Sequence, residues 1–412
     1  MKELPQTLKP TDIKYSNKLN VLQYMRLRKL VTKPEIAKEF DLSAPTASKL
    51  VDELVADGYA KMKGRGMSTD QGGKRPKLFA FNPMGGAIVS LHIGVRKIDA
   101  ALINLEAEVL YRLTETIAPG DDTDKLLKKI NACVEEILQM SEKDRPKVLA
   151  IGMGCPGVVD FGARKIVTAY GVQKLEKVEL GSMLERNFGL PVWIDNECNN
   201  LALAEQWFGE GETSGTMINL MIEEGIGAGI IIENQMIRGE SYSFGEVGHM
   251  VIDMEGLPCT CGNRGCWEQY VSIDALLAQV SEVFRQTSYL RAHAKSPEDI
   301  TIPLIAQALR HGDEAVKTVV GRLTRHLAVG ISSLVNIFNP NQIILHGSLQ
   351  PLGDAIVDEL RELVRGMALP APAQRVVIRF SSMGKDAHLI GAATLGIKGV
   401  FESPEILFGE VL

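Results

Sequence analysis

The chain is 412 residues long, too long for one hydrophobic core, and its 45% apolar and 23% charged composition is that of a globular protein of two or three domains. It contains no apolar run of about 18 residues or more, and the charged, proline-bearing N-terminus lacks the form of a signal peptide, so a cytoplasmic protein with no membrane partner is expected. The net charge of -6 is unevenly spread: residues 1–82 carry 16 Lys+Arg and 9 Asp+Glu, net +7, and the remainder carries 29 and 42, net -13, so a basic head precedes an acidic body and points to a polyanion such as nucleic acid.

In the head, Leu19, Leu22 and Met25 recur at helical spacing, and Ile36, Ala37 and Phe40 repeat the pattern. After a break at Asp41–Ser43, with Ser43 placed as an N-cap, the segment APTASKLVDELVADG puts Ala47, Leu50, Val51 and Leu54 on one face. Thr46, Ser48 and Lys49 then lie at the outer, N-terminal side of this helix. Helix, short turn and helix in this order form the helix-turn-helix layout, whose second helix enters the major groove. Beyond Gly58, two strand-like runs flank a glycine-rich basic tip, the form of a wing, from which Arg65, Lys74 and Arg75 are expected to reach phosphates or a minor groove. A small helical bundle with a solvated basic face is the alternative.

The body alternates strands and helices. Ala87 to Ile93, Ile98 to Leu105 and Val109 to Ile117 predict strands, 121–143 a helix and Val148 to Met153 a strand that leads into Gly154-Cys155-Pro156-Gly157. A strand from Pro191 to Asp195 precedes a helix from Asn196 to Phe208. Further strands are predicted at 216–222, 228–233 and 342–346, with helices at about 313–337, 352–366 and 385–397. This alternation implies sheets covered by helices.

One loop concentrates donor atoms. Cys259, Cys261 and Cys266, with His249 upstream, supply three sulfurs and an imidazole, the set that Zn²⁺ takes in a closed tetrahedral site, and Gly262 and Gly265 allow the backbone to turn between the sulfurs. A cysteine-rich loop without a metal is the alternative. Cys133, Cys155 and Cys198 are scattered, so no disulfide framework is expected.

The winged head ending in Gly-Gly-Lys-Arg-Pro, the Gly-Cys-Pro-Gly turn, the Asp-Asn-Glu-Cys-Asn and Glu-Val-Gly-His segments and the Cys-x-Cys-Gly-x-x-Gly-Cys loop together resemble the ROK family of repressors and sugar kinases over nearly the whole chain. The resemblance implies an α/β fold class, an N-terminal winged helix-turn-helix followed by a two-lobed actin-like, hexokinase-like ROK domain. Its parts would be a DNA-binding domain over 1–82, a first lobe over 83–200 completed by the C-terminal helix 385–400, and a second lobe over 201–384 with the zinc loop and oligomerisation helices. It also implies a cleft in which Asn196, Glu197, Glu246, His249 and Glu268 face sugar hydroxyls. Taken singly, the alternatives are Asn196 as only a helix cap, Glu246 as a surface charge and Glu268 as an i,i+4 partner on the helix after Cys266.

Where the family's kinases have Asp-x-Gly-Gly-Thr, this chain has His92-Ile93-Gly94-Val95-Arg96, and where they have Gly-Thr-Gly-Ile-Gly it has Glu223-Glu224-Gly225-Ile226-Gly227. Two carboxylates beside a triphosphate repel it by about 1 kcal/mol each at solvated distances. The kinases' Asn-Asp-x-Asn is here Asn196-Glu197-Cys198-Asn199, which is similar to the xylose-repressor branch. The expected function is therefore a non-enzymatic, sugar-responsive transcriptional repressor of carbohydrate-utilisation genes. It would be a homodimer or homotetramer on a pseudo-palindromic operator, with a monosaccharide effector in the cleft and Zn²⁺ as a structural ion. The rivals are an ATP-dependent sugar kinase that kept a DNA-binding head and a ligand-independent repressor acting through a protein partner.

Overall fold

Residues 10–66, 75–139, 146–169, 172–210 and 215–409 are described by the computed structural model of the chain. They divide into one unit built from Met1–Gly157, Phe161–Asp195 and Ala392–Leu412 and a second from Val158–Asp160 and Asn196–Gly391.

The first unit opens with the head. Helix α1 (Pro10–Arg28) buries Val21, Leu22 and Met25. Helix α2 (Lys33–Glu39) starts in a capping box: the Glu35 N–H donates to Thr32 Oγ1 at 3.3 Å and the Thr32 N–H to Glu35 Oε2 at 2.6 Å. Helix α3 (Ala44–Ala56) is capped by Ser43, whose Oγ accepts from the Thr46 N–H at 3.3 Å, and it buries Ala47, Leu50, Val51 and Leu54, the face predicted from spacing. Strands β1 (Ala60–Arg65) and β2 (Lys77–Phe81) pair antiparallel from Ala60↔Phe81 to Arg65↔Lys77, with a bulge between Met62 and Gly64, and Val31 bridges Phe79. The wing is thus a two-stranded hairpin whose tip, with Lys74, lies outside the described residues.

The body of this unit is a five-stranded sheet. Strands β3 (Ala87–Ile93), β4 (Lys97–Asn104) and β5 (Val109–Thr116) form an antiparallel meander, β6 (Val148–Cys155) pairs parallel to β3, and β9 (Val192–Asn196) flanks β6, giving the order β5-β4-β3-β6-β9. Every residue of the central strand β3 is buried, whereas β5 at the edge alternates half-buried and exposed with period two, as a one-sided strand must. Helices α4 (Thr123–Gln139) and α5 (Leu180–Phe188) belong to this unit, α4 packing on β4 and β5; the predicted helix reached 143, but residues 140–145 lie outside the described ones. Short strands β7 (Val158–Asp160) and β8 (Lys165–Thr168) lie between β6 and α5 in the chain and were not predicted.

The second unit repeats the same strand order. Strands β10 (Met217–Ile222), β11 (Ile226–Ile232) and β12 (Gln235–Met236) make the meander, β13 (Gln342–Gly347) pairs parallel to β10 and β14 (Val377–Phe380) parallel to β13, giving β12-β11-β10-β13-β14. Helix α6 (Glu197–Phe208) lies directly on β11 and β10: a Cβ at Gly229 would stand 2.1 Å from the Cys198 carbonyl oxygen, so only glycine lets the helix backbone come this close. On the core side, Ile218, Leu220, Ile343 and Leu345 pack with the long helix α11 (Glu314–Phe338) and with α12 (Asp354–Met367), beside which lies α13 (Pro370–Arg375). Helices α7 (Glu268–Val271), α8 (Ile273–Val283), α9 (Ser288–His293) and α10 (Ile302–Arg310) fill the stretch between the cysteine loop and α11. Sequence periodicity assigned nothing to residues 273–310, because each helix there is short and the pattern resets at every cap.

Helix α14 (Ala387–Glu402) begins in the second unit and, from Ala392, continues in the first; α15 (Pro404–Phe408) follows it and packs on α1. There the Tyr59 hydroxyl donates to the Leu407 carbonyl at 3.2 Å, and the Phe408 ring lies 5.8 Å from that of Tyr59 and 4.5 Å from the Lys18 ammonium.

Candidate functional site

All residues predicted for metal or sugar contact lie in the second unit. His249 ends a 3-10 turn, Val247–His249, and the loop after it is closed by two isolated bridges, Val251↔Cys266 and Pro258↔Arg264. Within it the Cys259 N–H donates to the Asn263 carbonyl at 2.9 Å and the Gly262 N–H to the Cys259 carbonyl at 3.0 Å, a knuckle that brings Cys259 and Cys261 to one side. Gly265 has φ +72°, and a Cβ there would sit 1.6 Å from the Asp253 carbonyl oxygen, so no other residue fits this turn.

The result is one donor cluster: a ligand atom of His249 and the sulfurs of Cys259, Cys261 and Cys266 all lie within 4.8 Å of one another and can hold a metal ion. Cys259 Sγ is 3.7 Å from His249 Nδ1, and the sulfurs of Cys261 and Cys266 are 3.7 Å apart, too far for a disulfide. Burial and its neighbouring thiols push Cys266 up to about 12, while the Asn263 N–H and then Cys259 hold Cys261 below its ordinary value. Thiolates this close repel one another, and a bound cation would favour their ionised form.

Two carboxylates border the cluster. Glu268, the first residue of α7, has Oε1 3.1 Å from Cys259 Sγ and 3.6 Å from His249 Nδ1, so Nδ1 is the ring nitrogen turned towards the sulfurs. Burial raises the Glu246 carboxyl, Glu268 adds to this and His249 opposes it. The loop's exit is anchored by Trp267, which is fully buried.

At the start of α6, Asn196 is the helix cap, its Oδ1 accepting from the Cys198 N–H at 2.7 Å. Glu197 follows, half-buried, with Oε2 4.0 Å from His388 Nδ1 at the start of α14. Cys198 is buried, packed with Leu201, Met221 and Ala387, and burial, then Glu197, then Glu246 raise its thiol well above the ordinary value. Glu223, on the turn between β10 and β11, is raised by burial and by Glu224 and Glu197, although the Ser348 hydroxyl donates to it at 2.7 Å. Asn196, Glu197, Glu246, His249 and Glu268 thus stand with Glu223 and Glu224 in a polar region dominated by carboxylates. His388 and Ser348, which carry no motif, were not anticipated.

A second buried network was also missed. Glu205 on α6 has no exposed side-chain surface; it accepts from Arg379 Nη2 at 3.1 Å and from the Ser381 hydroxyl, and its Oε1 lies 3.2 Å from His346 Nε2. Burial alone would raise this carboxyl, but His346, Ser381 and Arg379 bring it below the usual range.

On the head, Thr46 and Lys49 are exposed on α3, Ser48 is half-buried and bonded to Lys33, Arg65 is exposed at the end of β1, and Arg75 is exposed just before β2.

Residues 88–398 match the family described as the ROK family. The chain is 33% identical over 396 residues to the xylose repressor of Caldicellulosiruptor bescii, an alignment covering 96% of this chain and 98% of that protein. Among solved structures it is similar to a ROK family transcriptional regulator described as a homologue of the E. coli Mlc protein, with TM-score 0.82 and 25% identity over 96% of this chain and 98% of the other. It is also similar to a ROK family glucokinase from Streptomyces griseus solved with glucose and AMPPNP, with TM-score 0.65 and 28% identity over 75% of this chain and 99% of that one.

Proposed function

The chain belongs to the ROK family, and on that premise we propose that it is a sugar-responsive, DNA-binding transcriptional repressor of carbohydrate-utilisation genes. The observation that carries this reading is the extent of the match: likeness to a xylose repressor runs through the head as well as the body, whereas the likeness to a glucokinase covers three quarters of this chain. Residues 1–82 are the DNA-binding domain, with Thr46, Ser48, Lys49, Arg65, Lys74 and Arg75 as its contacts. The rest of the first unit forms one lobe and residues 196–391 with 158–160 the other, and the protein binds a pseudo-palindromic operator as a homodimer or homotetramer.

The effector is a monosaccharide. Each sugar hydroxyl gives one hydrogen bond and takes another, so acceptors and donors are needed in alternation. Glu197, Glu246 and Glu268 accept, and the amide of Asn196 donates because its oxygen is occupied by the helix cap. His249 contributes Nε2, since Nδ1 faces the sulfurs.

The metal is a structural Zn²⁺ held by His249, Cys259, Cys261 and Cys266. A tetrahedral ion with bonds of about 2.3 Å to sulfur and 2.0–2.1 Å to nitrogen sets sulfurs about 3.8 Å apart and sulfur about 3.6 Å from nitrogen. The 3.7 Å between the Cys261 and Cys266 sulfurs and the 3.7 Å from Cys259 Sγ to His249 Nδ1 match those spacings. All four positions are filled by protein, so the ion fixes the imidazole in orientation and leaves no place for substrate.

The protein is not a kinase in this reading. Glu223 and Glu224 place negative charge where a nucleotide's phosphates would have to approach, and Glu197 stands where the family's kinases carry aspartate. Calorimetry and operator-release assays with a panel of monosaccharides, beginning with xylose, test the proposal, alongside coupled ATP turnover with the same sugars. Sugar binding with release or retention of DNA and no turnover is expected; phosphorylation of any sugar at an ordinary enzymatic rate would refute it.

A further inference from the structure

The outward stripe of α3, opposite its buried face, runs through Pro45, Ser48, Lys49, Asp52, Glu53 and Ala56. For a helix expected to approach a polyanion its charge is unusual, one lysine against two carboxylates. Both carboxylates are held by lysines from other helices. Lys33 of α2 donates to Asp52 Oδ1 and Oδ2, each at 2.7 Å, and to Ser48 Oγ at 2.8 Å, while Ser48 Oγ donates to Asp52 Oδ2 at 3.2 Å. Glu53 pairs with Lys14 at 3.0 Å and Lys18 at 3.6 Å. The two sites differ in access: the Lys33 ammonium, 5.5 Å from the Phe79 ring of the wing, is 26% exposed, whereas the Asp52 carboxylate is 63% exposed and directed outward.

We propose that Asp52 is a specificity-determining residue of the DNA-binding surface, one that penalises DNA lacking an amino donor at the base edge it meets; this rests on the repressor reading above. A carboxylate only accepts. In a major groove it is satisfied by the amino group of cytosine and is opposed by phosphates and by bases that offer acceptors. Because Lys33 is already committed to Asp52 and Ser48, its charge is unavailable to phosphates until Asp52 finds another donor. On a matching sequence Asp52 accepts from the base and Lys33 turns to the backbone; on any other sequence the helix keeps both its own negative charge and a neutralised lysine. One side chain thus adds a contact on the right sequence and removes an electrostatic one on the wrong sequences, which is how discrimination against an incorrect partner is built.

The experiment is selection from a random-sequence duplex pool with the full chain, then salt titration of binding to the enriched duplex and to a scrambled one. The wild-type protein enriches a defined motif. Asp52→Asn keeps the shape but removes the charge and one of the two acceptor oxygens that hold Lys33; it should bind the scrambled duplex about fivefold more tightly, the effect of removing one solvated like-charge contact. Its log–log salt slope should steepen by about 0.9 as Lys33 becomes free to neutralise a phosphate, and its selected motif should lose definition at one position in each half-site. Asp52→Glu should keep the wild-type selectivity, and Asp52→Ser serves in place of the asparagine variant if that one melts early. Unchanged selectivity and slope in Asp52→Asn overturn the inference, as does an equal loss of affinity for both duplexes, which a purely structural role would give. A wild-type protein that enriches no motif overturns the repressor reading itself, an outcome separate from either.

Discussion

The indole N–H of Trp267 donates to the His326 carbonyl at 2.8 Å, and its ring rests on Gly330 one turn further along α11, where a Cβ would stand 2.2 Å from the indole. This contact fastens the cysteine loop to the longest helix of its unit. Tyr270 reinforces it, accepting from the Leu257 N–H at 3.0 Å and lying 4.9 Å from the His326 ring. Gly330→Ala should therefore force the loop off its seat and destabilise the protein by about 1–3 kcal/mol, the usual cost of overpacking a filled core. Thermal unfolding monitored by tryptophan fluorescence would measure it, and a variant as stable as wild type would show that the loop does not depend on this contact.

Removing the proposed Zn²⁺ should have a larger effect on the same loop. With Cys266 raised to about 12 by burial, the free thiol is protonated at neutral pH, and without an ion the four donors lose the bonds that would tie the loop together. Chelation, or Cys261→Ser, should lower the melting temperature and abolish the sugar response together, and zinc should restore the chelated protein. Full sugar response in a metal-free preparation would show that the ion is dispensable.

Glu223 gives a pH test with a defined sign. Burial, with Glu224 and Glu197, raises its carboxyl in the folded state above the ordinary value. A group of this kind binds its proton more tightly when folded, so its favourable contribution is complete below the unfolded carboxylate pKa and is lost as the pH rises through the raised folded value. Glu223→Gln keeps the Ser348 contact without the charge. It should stabilise the ligand-free protein above that range, by up to about 1 kcal/mol, and leave stability unchanged at acid pH. Equal effects at both ends, in denaturant melts across pH, would mean that charge is not the cause.

What was legible in the sequence was whatever is local. The buried face of α3 followed from Ala47, Leu50, Val51 and Leu54, and its cap from Ser43, because a helix reads its own four-residue neighbourhood. The cysteine cluster was legible for the same reason: three sulfurs within eight residues can only come together. The Glu205 network was hidden because its members come from α6, β13 and the end of β14, with 176 positions between Glu205 and Ser381. No periodicity connects residues that meet only when two parallel strands align. His388 beside Glu197 and the common strand order of the two sheets were hidden by the same distance along the chain.

That hidden network should be the most sensitive part of the second unit. Glu205 is wholly removed from solvent, and the Arg379 guanidinium at 3.1 Å is the one permanently charged group among these partners, beside His346 and the Ser381 hydroxyl. Arg379→Met leaves the carboxylate buried without its cation, a change that typically costs about 3–5 kcal/mol. Glu205→Gln with Arg379→Met should recover part of that loss, since no charge then remains to be compensated. Chemical denaturation of the two single variants and the pair measures the coupling, and additive losses would show that the pair does not act as a unit.

The wing supplies the last test. Arg65 ends β1 and Arg75 stands two residues before the first residue of β2, Lys77, so both flank the tip of a hairpin and are exposed. Arginines so placed contact phosphates without reading bases, and their removal should weaken binding to all sequences alike. Each of Arg65→Ala and Arg75→Ala is expected to lower affinity for specific and scrambled duplexes by a similar factor and to reduce the salt slope by about 0.9. This is the opposite of the pattern predicted for Asp52, where selectivity falls and the slope rises. Measured on the same duplexes, the two patterns separate a residue that positions the head on the backbone from one that chooses the sequence, and a slope untouched by either arginine would take the wing out of the interface.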